Sequence, residues 1–172
     1  MGNSVCKEVL DIFEYEKVPE YLNETLIALI PKYQSPESLN NYRPISLCNS
    51  IYKVVSKIIV NRIRPLIGKL VAPVQTAFVP SRKVIDNVLL AQELFYALDR
   101  KKGKEGYMAI KVDLEKAYDI LEWSFVYKVL QAFHFPSNLI KVIMSCVTST
   151  RISILFNEGA LEPFKPSRGL RQ

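Results

Sequence analysis

Tyr107 to Trp123 reads YMAIKVDLEKAYDILEW, and two periodicities meet inside it. Met108, Ile110 and Val112 alternate with Ala109 and Lys111, the period-2 pattern of a strand, and Gly103 and Gly106 punctuate the chain before it. After Asp113 the spacing changes: Leu114, Ala117, Tyr118 and Leu121 stand at i, i+3, i+4 and i+7, one face of a helix. A strand over 108–112, a carboxylate at its end and a helix behind it are therefore expected. A carboxylate where a buried strand stops, beside a basic and aromatic turn, is a place for a metal or phosphate site. Asp is equally a preferred helix N-cap, its side chain accepting from the first unpaired amides. On this stretch alone both roles stay open for Asp113.

The rest of the chain bounds the choice. Its 172 residues, 49% hydrophobic and 23% charged, suffice for one globular domain with a real core. Lys+Arg 23 against Asp+Glu 17 leave a net charge of +6, which permits a nucleic-acid or phosphate partner without requiring one. Cys6, Cys48 and Cys146 are scattered, odd in number and lack CxxC spacing, which favours a reducing compartment over a disulfide frame. His134, the single histidine, excludes a His-pair metal site and is expected to pack at a helix end. No run approaches the ~18 apolar residues of a membrane span. The amino terminus carries neither a secretory nor a myristoylation signal, so an intracellular protein, nuclear or cytoplasmic and not secreted, is expected.

Upstream of the central stretch, Val5, Val9, Ile12 and Phe13 predict an amphipathic helix over 4–18, stopped by Pro19, within a lead-in of residues 1–24. TLIALIP, 25–31, reads as a buried strand, YQSPESLNN as a loop and YRPISL as extended backbone. Lys32 and Arg43 bracket that loop. They are either two solvated surface cations or a pair directed at one anion, the Arg gripping it as a fork and the Lys as a point charge. Asn49–Leu70 carries the longest helical stripe, with a kink or break expected at Pro65. Residues 71–87 are irregular, 84–98 helical, and 100–106 a charged connection. Downstream, WSFVYKVLQAF and LIKVIMSCV predict two helices with Ser137 and Asn138 as caps of the second. RISILF, 151–156, and Ala160–Phe164 predict a hairpin about a turn at 157–159.

LIPK, NYRPISL, QTAFVPSRKVIDN, KVDLEKAYD followed by EW, and SRGLRQ occur in that order from residue 25 to the end. As an ordered series they resemble the reverse transcriptase domain of LINE-type (non-LTR) retrotransposons, especially those of plants. The resemblance implies an α+β fold, the fingers (25–104) and partial palm (105–172) of a right-hand polymerase, without the rest of the palm and the thumb. It implies Asp113 as the catalytic carboxylate and, with the Leu114 carbonyl, as ligand of two Mg²⁺. It implies Lys32 and Arg43 on the incoming triphosphate and Tyr118 as the aromatic gate against a 2′-hydroxyl. Gln75, Phe78 and Arg82, with Gly169 and Gln172, match positions that support template and fingers. An RNA template, a DNA primer and deoxynucleoside triphosphates are the implied partners, with no membrane and no obligate protein partner. Asp119 is not among the family's metal ligands and is expected to cap or bridge near the following helix.

One departure matters. The family's remaining carboxylates lie in a Tyr/Phe-x-Asp-Asp hairpin, and these 172 residues contain no Asp-Asp pair. One carboxylate makes no two-metal clamp. The chain is thus expected to be a truncated fragment, inactive alone, with apolar strand edges exposed and poor solubility. A non-catalytic nucleic-acid-binding or interaction module derived from such an enzyme is the alternative.

Overall fold

Apolar residues spaced for a pleated surface form β1, Glu24–Pro31, and its partner β2, Tyr42–Cys48, in a computed structural model that describes every residue except Met1, Lys104, Glu105, Glu115, Glu158 and Gln172. The chain divides into two compact units, residues 1–59 with 116–172, and residues 60–115. It is a mixed helix and sheet protein. Three helices precede the central stretch: α1, Gly2–Glu14; α2, Ser50–Leu70; and α3, Val84–Arg100. After it come α4, Ala117–Ile120; α5, Trp123–Ala132; α6, Ser137–Thr148; β3, Arg151–Phe156; and β4, Gly159–Ala160.

In the first unit the sheet order is β2-β1-β3-β4. β1 and β2 are antiparallel, with Ala28 opposite Ile45 and Ile30 opposite Arg43, and β1 and β3 are parallel, with Thr25 opposite Ile152. Pro44, which has no N–H to donate, sits on the edge strand, where a missing ladder bond is tolerated. One sheet face buries Thr25 and Ile152; the other carries Leu26, Ile45 and Leu47 exposed. Ile12 and Val18 from the amino-terminal segment, Val55 from α2 and Val142 from α6 complete the core.

Two helices end on left-handed residues that are not glycine. α1 stops at Glu14 rather than running to residue 18, because Glu16 adopts φ 55° and Lys17 N–H donates back to the Ile12 carbonyl at 3.2 Å. α5 closes the same way: His134 has φ 55° and Phe135 N–H reaches the Leu130 carbonyl at 3.2 Å. The lone histidine is therefore an exposed helix terminator, not a packed side chain. Pro136, not Ser137 or Asn138, occupies the N-cap of α6, and Asn138 Oδ1 instead accepts from the next residue's amide at 2.8 Å. The expected hairpin partner shrinks to β4, with Leu161 N–H bonded to the Ile154 carbonyl and Phe164 bridged to Ile152. Asn157, at φ 44°, supplies the turn.

Burial pushes the Cys146 thiol up to about 11. An unfolded thiol releases its proton near its ordinary 9.0, so between those values the unfolded state binds fewer protons and stability falls as pH rises. We expect a loss of about 2–3 kcal/mol between about pH 9 and 11, read by urea unfolding, since each pKa unit is worth about 1.4 kcal/mol. Burial raises the Tyr52 phenol too, and its ionisation acts in the same direction. Cys146→Ala removes the thiol's share; an unchanged alkaline slope in that variant would refute the assignment.

The second unit is built differently. It contains the end of α2, which continues through Pro65 to Leu70, the segment 71–83, and α3. Among its described residues only Val79 is buried. The expected strand over 108–112 is not formed: residues 106–114 are irregular, with Met108, Ile110 and Val112 exposed. Alternation specifies which side chains share a face, but a strand also needs a neighbour to bond. Among the described residues none pairs with this segment. The helix expected after Asp113 is likewise reduced to the single turn of α4. Among the described residues no helix is long and apolar enough to cross a membrane.

Candidate functional site

The β1–β2 pairing carries Lys32 and Arg43 to the same end of the sheet. Ile30 faces Arg43 directly, and Lys32, two residues further on, donates its amide to the Asn41 carbonyl at 2.9 Å. Lys32 Nζ rests on the Asn40 carbonyl at 2.8 Å, and both cations are exposed. Among the described residues neither belongs to an ion pair.

On the sheet face that buries Thr25, a cleft of about 570 Å³ is bounded by Ile27, Tyr52, Cys146, Ile152, Asp119 and Arg171. Arg171 closes its floor. One arm of the guanidinium donates to Thr25 Oγ1 and lies 3.8 Å from Cys48 Sγ; the other donates to Asn23 Oδ1. Its carbon stands 4.3 Å from the centre of the Tyr52 ring. Asn23 is wholly buried and spends its own amide on the Cys146 carbonyl and Ser149 Oγ, each at 2.8 Å. A buried polar cluster of this kind is stable only when every member is paired, and here it is. Arg171 stands in the SRGLRQ motif, but the sequence offers it no partner, because those it bonds lie 123 to 148 positions away and no local pattern announces them.

The backbone of Tyr118 is joined to the segment of Gly169 and Leu170, which lines the cleft. Leu170 N–H donates to the Tyr118 carbonyl and Gly169 N–H to the Leu121 carbonyl, both at 2.8 Å. Neither Asp of the central stretch caps a helix. Lys116, left-handed at φ 51°, is the N-cap of α4, and Glu122 is the N-cap of α5, neither with a side-chain bond. The cap role open to Asp113, and the capping half of the cap-or-bridge role expected of Asp119, are thus taken by other residues.

Asp113, Leu114, Gln75, Phe78 and Arg82 belong to the second unit. Asp113 and Leu114 are exposed on irregular backbone. Phe78 is 89% exposed and left-handed at φ 62°, and Gln75 folds its amide onto the Ala77 carbonyl at 3.3 Å. Arg82 is the organiser there. Its Nη1 donates to the carbonyls of Ala72 and Gln75 at 2.5 and 2.6 Å, and its Nη2 to those of Gly68 and Val71 at 3.0 and 2.9 Å. Carbonyls at a helix C-terminus lack intrahelical partners, and a guanidinium fork answers them while its charge complements the helix dipole. Arg82→Ala is expected to destabilise the 68–75 segment by about 1–3 kcal/mol, with Arg82→Lys recovering only part because it lacks the fork. Amide exchange at 71–76 is the measurement; unchanged protection in Arg82→Ala would refute the clamp. Gln172 lies outside the described residues.

The residues present do not fit a magnesium pair. Among the described residues there is no group of three or more His, Cys, Asp or Glu side chains that could hold an ion, and Asp113 is exposed. Mg²⁺ needs at least one or two close carboxylates with substrate oxygens, so no step is routed through a metal here.

Residues 30–172 match the reverse transcriptase (RNA-dependent DNA polymerase) family, and the chain belongs to that family. The relatives it resembles are proteins of transposable elements. All of this chain aligns at 26% identity with a transposon TX1 uncharacterized 149 kDa protein of Xenopus laevis, covering 13% of that protein. A retrovirus-related Pol polyprotein from type-2 retrotransposable element R2DM of Drosophila melanogaster is 24% identical over 155 residues, 90% of this chain and 14% of that protein. A counterpart from type-1 retrotransposable element R2 of Popillia japonica is 22% identical over 132 residues, 77% of this chain and 18% of that protein. The chain thus spans under a fifth of each relative's length.

Proposed function

We propose that the chain forms the fingers and part of the palm of the RNA-directed DNA polymerase of a LINE-type retroelement, of the plant kind its motif series resembles. The placement of Lys32 and Arg43 at one end of the β1–β2 pair gives the strongest support. Two exposed cations at one sheet end offset the charge of a triphosphate, the Arg fork taking two oxygens and the Lys one. Tyr118 stands under the incoming sugar; Gln75, Phe78, Arg82, Gly169 and Gln172 support template and fingers. In the intact family domain the resemblance makes Asp113 and the Leu114 carbonyl ligands of Mg²⁺; the described residues of this chain do not form that site by themselves. The partners are RNA template, DNA primer and deoxynucleoside triphosphates, in nucleus or cytoplasm.

The test is the binding of the 172-residue chain to an RNA–DNA hybrid with a recessed 3′ end, titrated with dATP by fluorescence anisotropy. Affinity is expected to fall with salt and to rise with dATP; Lys32→Ala with Arg43→Ala should abolish the dATP effect. A wild-type protein indifferent to dATP would remove the triphosphate assignment. A second reading is a non-catalytic nucleic-acid-binding module, motivated by the sequence's lack of an Asp-Asp pair. Primer extension on an RNA template tests the second reading alone: both readings expect no incorporation from this chain by itself, and template-dependent incorporation would exclude the second.

A further inference from the structure

We propose that Gly169 and Trp123 are positioning residues for Tyr118, the 118–123 and 169–171 backbones forming one clasp that sets where the Tyr118 ring stands. The inference rests on the reading of Tyr118 as a sugar gate. α4 has four residues, too few to hold a helix by its own hydrogen bonds. Besides its own turn, three cross-links hold it and the residues that follow it. Gly169 N–H donates to the Leu121 carbonyl, Leu170 N–H to the Tyr118 carbonyl, and the Trp123 indole N–H to the Gly169 carbonyl, each at 2.8 Å.

Glycine is required at their centre. Gly169 has φ 85°, and a Cβ there would lie 2.7 Å from the Asp119 carbonyl oxygen, the residue next to Tyr118. Any side chain at 169 therefore pushes on the backbone that carries the ring. Two residues on, Arg171 ties the same segment to buried Asn23 and Thr25, so the clasp is rooted in the core of its unit. A steric gate distinguishes sugars by one oxygen atom, and a displacement of about 1 Å in a positioned group alters selectivity by about a hundredfold at the extreme.

Calorimetric titration of the 172-residue chain with dATP and with ATP tests this in the wild type, Tyr118→Ala, Gly169→Ala and Trp123→Phe. Tyr118→Ala is expected to erase the preference for dATP. Gly169→Ala and Trp123→Phe should each lower the dATP/ATP affinity ratio by about tenfold. General loosening would weaken both nucleotides alike and leave the ratio unmoved. Trp123→Phe, which removes only an indole donor, stands in if Gly169→Ala fails to fold. A ratio erased by Tyr118→Ala but untouched by both clasp variants would overturn the proposal. A ratio that Tyr118→Ala leaves unchanged would instead overturn the gate reading, and the proposal with it.

Discussion

Replacing Arg171 by Met is expected to destabilise the first unit by about 2–4 kcal/mol, a large fraction of a small domain's stability. The reasoning starts from the partners left behind. Asn23 Oδ1 and Thr25 Oγ1 accept from the two arms of the guanidinium, and both residues are buried. Each stranded polar atom costs about 1–3 kcal/mol, against which relief from burying a charge and the apolar gain of Met offset part. Arg171→Lys keeps the charge but offers one ammonium where two separated arms are needed, so roughly half the loss should remain. The pair Asn23→Ala and Arg171→Met should be less harmful than the sum of its members, because either change already breaks the shared bond. Urea unfolding followed by circular dichroism reads all four variants, Asn23→Ala alone included. An Arg171→Met protein within about 0.5 kcal/mol of wild type would mean the bonds contribute little.

That network shows where sequence reading stopped. Local apolar patterning suffices for β1, α2, α3, α5, α6 and β3, whose spacing is set by the element's own geometry, and the Arg43-Pro44 pair for the extended backbone of β2. It could not supply partners. The parallel pairing of β1 with β3 joins residues more than a hundred positions apart, and nothing in ETLIALIP announces it. The same limit explains 108–112, where alternation is present and a paired strand is absent. Helix ends were misjudged for another reason. Sequence rules expect Gly or Asn at left-handed positions, whereas Glu16, Lys116 and His134 hold them here, each imposed by the path of the following chain.

The site was partly legible. Lys32 and Arg43 were recoverable because they bracket one loop, and a hairpin necessarily brings its two ends together. Arg82 was noticed by motif, but its task within its own unit, gathering four backbone carbonyls, depends on where a loop doubles back. Trp123 and Arg171 drew no role from spacing at all. Trp123 meets Gly169 only once the 118–123 and 169–170 backbones lie side by side, and Arg171 meets its partners only once the chain's end packs on Asn23 and Thr25.

Trypsin is expected to cut the native chain first after Lys83, Arg100, Lys101 or Lys102, at least about a hundredfold faster than after Lys141 or Arg151. Cleavage needs several residues of backbone to leave their structure, so its rate follows the local free energy of opening. Lys141 lies in α6, whose Ile140, Val142 and Cys146 are buried, and Arg151 begins β3, bonded to β1. Opening either disrupts the core of the first unit. The other four sites flank α3, in which no residue is buried and Leu89, Leu94, Phe95 and Tyr96 are all more than half exposed. A 17-residue helix without a packed face is marginal in water, since propensity alone barely exceeds the cost of nucleation. Early fragments identified by mass spectrometry decide the matter: first cuts at Lys141 or Arg151 would show that α3 is held by more than its own hydrogen bonds. Early cuts confined to 83–102 would show that α3 opens without disturbing the core of the first unit.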